Sequence, residues 1–155
     1  MPSPTQSLFL VALVAALIAP AAFADKDHDH KHEVKVADNY SAAVGQIHHS
    51  LEKIKQLVAA GKLKQVHDDA DAIVAVSKAL PQLALKEGSG VPKEAVKEIN
   101  LTSKELAKAA DAAHTASDNG NLDETKKAHA AMLPLFEKLK KHAKPHAEHE
   151  HDHEK

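Results

Sequence analysis

The sequence predicts an all-α fold, an up-down-up-down antiparallel four-helix bundle with disordered His-rich termini, and three observations lead there. Apolar residues recur at alternating steps of three and four through four segments, which lines one face of a helix in each. No segment alternates apolar and polar residues as a half-buried strand does. The composition, rich in Ala, Lys, Leu and Val with 3% aromatic residues and no Cys, is that of a helical bundle.

The first helix is expected over about residues 41–60, where Val44, Ile47, Leu51, Ile54 and Val58 share a face and Gly61 closes the end. Leu63, Val66, Ala70, Ile73, Ser77 and Leu80 carry the second, which Pro81 should kink or stop. Gly88 and Gly90 break the chain. Pro92 suits a first helical position, and Val96, Ile99, Ser103, Leu106, Ala110, Ala113 and Ser117 continue the third seam. After a turn over residues 118–121, Asn121 and Glu124 have the spacing of a capping box. Leu122, Thr125, His129, Met132, Phe136, Leu139 and Ala143 line the fourth helix, with Pro134 inside it and Pro145 beyond it. Short connections make consecutive helices antiparallel neighbours. A four-residue echo, Ala60-Gly61-Lys62-Leu63 against Asn119-Gly120-Asn121-Leu122, hints at a duplicated helical hairpin.

Residues 1–24 read as a signal peptide: an apolar stretch from Leu8 onward closes on Ala22, Phe23 and Ala24, a small-x-small cleavage pattern. No Lys or Arg precedes the apolar stretch, and a retained anchor is the alternative. Cleavage would leave a soluble periplasmic or secreted protein with no membrane segment. Its parts are a His/Asp-rich segment at 25–38, the bundle at 39–144 and a His/Glu-rich tail at 145–155. All 20 basic residues are Lys and no Trp is present, which disfavours nucleic acid, since forked phosphate contacts call for Arg and base stacking for aromatic rings.

Histidine carries the chemistry. Seven of the 13 His residues sit in two runs, His28, His30 and His32, then His146, His149, His151 and His153, each alternating with Asp or Glu. Imidazole is the commonest protein ligand for transition metals, and carboxylates add oxygen ligands and a negative field. Inside the bundle, a rise of about 1.5 Å per residue puts His67 and His114 roughly 9 Å, and His129 roughly 13 Å, from the same end. Asp111, one turn before His114, is a further candidate ligand or a partner for its ring. These residues suit Cu(II), Ni(II) or Zn(II), and affinity order alone does not choose among the three. Only neutral imidazole ligates, so capture should fail below about pH 6. The bland reading of each internal His is a neutral ring at the border of an alanine-rich core. The corresponding alternative function is a metal-free helical interaction or stress protein whose His-rich ends respond to acid.

Enzymatic chemistry is not legible. No Cys nucleophile, Ser elbow or phosphate-binding Gly loop is present, and of the paired carboxylate-x-x-His motifs of di-iron bundles only Asp111 with His114 fits.

A leader followed by a short four-helix bundle resembles the haem-binding bundles of the cytochrome c-prime class over about residues 41–143. That class attaches haem through Cys-x-x-Cys-His near the end of its last helix, where this chain reads Lys138, Leu139, Lys140, Lys141 and His142. The related b-type bundles use a Met in the first helix, and none lies there, so no haem is expected. Gly61, Lys62 and Leu63, followed by Val66 and His67 and then Ala79, Leu80 and Pro81, form a stretch similar to small haem-free periplasmic bundle proteins associated with bacterial metal efflux. That resemblance implies metal ions and a metal-efflux or metal-acceptor protein as partners.

Overall fold

The computed structural model describes residues 34–144. The expected signal peptide lies outside them, as do both His runs. Four helices form: α1 (Tyr40–Ala59), α2 (Val66–Leu85), α3 (Val96–Asp118) and α4 (Leu122–Lys140). Single 3₁₀ turns, Leu63–Gln65 and Lys93–Ala95, lead into α2 and α3. Among the described residues there is no strand, and no helix is long and apolar enough to cross a membrane.

The seams meet in one core. Ile47, Leu51 and Ile54 of α1, Val66, Ile73 and Leu80 of α2, Ile99 and Leu106 of α3, and Met132 and Leu139 of α4 are all essentially buried. Helix α1 packs against α2, α2 against α3, α3 against α4, and α4 back against α1. Direction follows from individual contacts. The Tyr40 hydroxyl donates to the Leu139 carbonyl at 2.9 Å, which sets the start of α1 beside the end of α4. His67, at the start of α2, meets His114, near the end of α3.

Local chemistry sets the helix ends. The Asn39 side chain accepts from the Ala42 N–H and the Asn121 side chain from the Glu124 N–H, so each serves as an N-cap. The echoed tetrapeptides form the same stop. Gly61 and Gly120 both take φ of +69°, a left-handed conformation open to glycine. Lys62 N–H then bonds Leu57 C=O at 2.9 Å and Asn121 N–H bonds Ala116 C=O at 2.9 Å, the six-to-one bond of a Schellman cap. Two proline expectations need correction. Helix α2 does not stop at Pro81 but runs on to Leu85, and Pro92 precedes a 3₁₀ turn instead of opening α3. A proline lacks the N–H that would bond the carbonyl four residues back, and packing of the last turn, where Leu83 and Ala84 are buried, holds α2 past that gap.

Tyr40 yields a stability prediction. Burial, and next the Glu98 carboxylate, push its phenol well above the usual range. An unfolded tyrosine ionises near pH 10. The buried neutral phenol therefore contributes stability that is intact below about pH 10 and is lost as pH rises further. Tyr40→Phe should cost about 1 kcal/mol at neutral pH through the lost hydrogen bond, and the gap between the two proteins should shrink at high pH. Denaturant midpoints at about pH 8 and pH 11 check this; a gap that stays constant would contradict it. The chain has one Tyr and no Trp, so tyrosinate absorbance follows this group alone.

Candidate metal centre

Where α2 begins and α3 ends, two His-x-x-x-Asp pairs lie crosswise. His67 is the second residue of α2 and Asp71 follows one turn later; His114 precedes Asp118, the last residue of α3. Residues four apart are neighbours on one helix face. Because α2 and α3 run in opposite directions here, His67 comes level with Asp118, and His114 with Asp71. The rings stand edge to face, centroids 4.1 Å apart and planes at 76°.

The four side chains face one another in order. His67 Nδ1 and His114 Nε2 point at each other within hydrogen-bonding contact. Asp118 spans the pair, Oδ1 lying 3.5 Å from His67 Nδ1 and Oδ2 lying 3.3 Å from His114 Nε2. On the far side Asp71 spans the two outer nitrogens, Oδ2 at 3.4 Å from His67 Nε2 and Oδ1 at 3.6 Å from His114 Nδ1. One ligand atom from each of His67, His114 and Asp118 falls within 4.8 Å of the others, as donors around a single ion must. The ring side chains are 17% and 14% exposed and that of Asp118 is 44% exposed, so the group is rooted in the bundle and open to solvent on the Asp118 side.

Electrostatics favours a cation here. Two carboxylates facing the two rings carry two formal negative charges, the complement of one divalent ion. Asp118 also sits at the helix C-terminus, the end whose dipole disfavours an anion. A nearby cation offsets that cost.

The structure separates the other candidates. Asp111 is exposed and stands apart from the group. Asp111 lies three residues before His114, about 4.5 Å further from the level of His67, whereas Asp118 lies on the His67 side of it. His129 is also apart: its Nε2 meets the Leu51 carbonyl of α1 at 3.1 Å. Helix α4 packs on α3 and α1, so a ring on that seam reaches α1 and not the start of α2. His48 stacks on Phe136 at 5.4 Å and His142 Nε2 lies 3.7 Å from Glu98. His28, His30, His32, His146, His149, His151 and His153 fall outside the described residues. Sequence reasoning places Asp118 in a turn and does not single out Asp71. The signal that marks both is the same His-x-x-x-Asp spacing, once in each of two antiparallel neighbours.

Comparison with protein-family models, curated proteins and solved structures finds no match for this chain. Its chemistry is therefore read from the site.

Proposed function

We propose that this protein binds a divalent transition metal ion, Cu(II), Ni(II) or Zn(II), outside the cytoplasm. The ion is held by His67 Nδ1, His114 Nε2 and Asp118 at one end of an up-down-up-down antiparallel bundle, with the His-rich termini as further ligands. The observation that carries this reading is the convergence of two ring nitrogens and a carboxylate within 4.8 Å. Nitrogen and oxygen donors of this kind suit those ions. Three protein ligands leave a coordination position open, which fits an ion that is buffered and passed to an acceptor protein better than one sealed in as structural support.

A second reading has an observation in its favour. Each ring faces both carboxylates, at 3.3 to 3.6 Å, an arrangement that equally suits protonated imidazoles in a metal-free, acid-responsive interaction protein. Calorimetry separates the two. The purified chain titrated with Cu(II), Ni(II) and Zn(II) should take up at least one of them, with one site lost in the His67→Ala, His114→Ala double variant. Uptake should weaken strongly between about pH 7.5 and pH 5, because protons compete for the ligand nitrogens. No uptake of any of the three would leave the acid-responsive reading, and equal affinity at both pH values would rule against histidine ligation.

A further inference from the structure

Between α2 and α3, away from the metal centre, several departures from ordinary helix packing coincide. The hydroxyls of Ser77 and Ser103 are buried, and neither has a hydrogen-bond partner among the described residues. An unpaired buried hydroxyl is a cost that an apolar group of similar size avoids. Other buried hydroxyls of the bundle are satisfied locally: Ser117 donates to the His114 carbonyl and Thr125 to the Asn121 carbonyl, both at 2.7 Å. Alanine is what these seams otherwise carry. Ala70 and Ala84 stand seven residues either side of Ser77, Ala110 stands seven past Ser103, and all three are buried. One turn beyond Ser77, Pro81 sits inside α2 and has no N–H to bond the Ser77 carbonyl.

The three departures share one cavity. Its volume is about 300 Å³, and Ser77, Pro81, Asn100 and Ser103 line it together with the exposed Lys78 and Lys104. Two lysines and no Asp or Glu belong to its wall, and neither lysine has an ion pair among the described residues. Hydroxyls, an amide and ammonium groups can all donate to an anion. The proline ring, Ala107 and the lysine stems leave the rest of the wall apolar. A molecule that complements both parts has an anionic head and a short apolar body.

We propose that this cavity is a second binding site, one for a small organic carboxylate. The Ser77 and Ser103 hydroxyls donate to the carboxylate, Lys78 and Lys104 neutralise it, and the apolar chain lies against Pro81 and Ala107. The ligand thus supplies the partner that both hydroxyls lack. Ser77 is ten residues past His67 along α2, about 15 Å, so the site is separate from the metal centre and does not depend on it.

A proton–nitrogen NMR titration of the full chain with butyrate tests this, with butylammonium as a cation of similar size. So small a ligand should half-saturate the site at millimolar concentration. Butyrate should saturate with shifts confined to backbone amides around Ser77 and Ser103, and butylammonium should not. The Lys78→Gln, Lys104→Gln double variant changes only exposed side chains and should weaken butyrate about 10-fold or more. The Ser77→Ala, Ser103→Ala double variant should weaken it comparably, yet its ligand-free melting temperature should be no lower than that of the wild type, because alanine removes two unpaired hydroxyls. The His67→Ala, His114→Ala variant should bind butyrate as the wild type does. Failure to saturate, an equal response to butylammonium, shifts scattered over other lysines, or undiminished binding in either double variant would overturn the site. A lower melting temperature in the serine variant would show that the hydroxyls have partners already, and would overturn it as well.

Discussion

Replacing His114 with alanine should abolish zinc-induced stabilisation of the protein. The site forms only when α2 packs on α3, so an ion held there binds the folded chain and not the unfolded one. Free zinc at 100 times the dissociation constant would then add about 2.7 kcal/mol to stability, a rise in melting temperature on the order of 10 °C for a domain of this size. Histidines that are neighbours in sequence bind folded and unfolded chains alike and cancel from this difference. In the proposed centre His114 would supply one of three ligand atoms, so its loss should exceed the ~10- to 100-fold cost of disturbing residues behind the ligands. Thermal melts of both proteins in buffered zinc check it. An equal rise in His114→Ala would show that the ion sits elsewhere.

The second large effect concerns the core. Leu106 of α3 is fully buried, and Leu106→Ala removes three carbons and leaves a void that the packed helices cannot close. The cost should be about 2–5 kcal/mol, read as a drop in denaturant midpoint with little change in slope. His114 is about 12 Å further along the same helix, so the zinc-induced shift should persist in this variant. A loss below about 1 kcal/mol would mean that α3 is not packed as described.

Much of the fold was legible because helical periodicity is a local property. The seams of α1 and α3 could be read from spacing alone, and Gly61 and Gly120 marked their ends because each must take a left-handed conformation. The prolines were less legible. Proline removes a hydrogen bond, but whether a helix survives it depends on the packing of the next turn, which is tertiary information. The site was half legible for a related reason. Height along a helix can be counted, and it placed His67 and His114 together. Which neighbour a ring faces cannot be counted. His129 stands at a comparable height yet turns to α1, and Asp111 lost to Asp118 because three residues back and four residues on lie on opposite sides of His114. Asp71 and Asp118 become informative only when α2 and α3 are known to run side by side in opposite directions.

The most direct test of the central claim is a crystal structure of the zinc-loaded protein with anomalous data collected at the zinc edge. A peak bonded to His67 Nδ1, His114 Nε2 and a carboxylate oxygen of Asp118, at about 2.0–2.2 Å from each, is the predicted result. Zinc found only on other side chains, with those two ring nitrogens still facing each other and no ion between them, would contradict it.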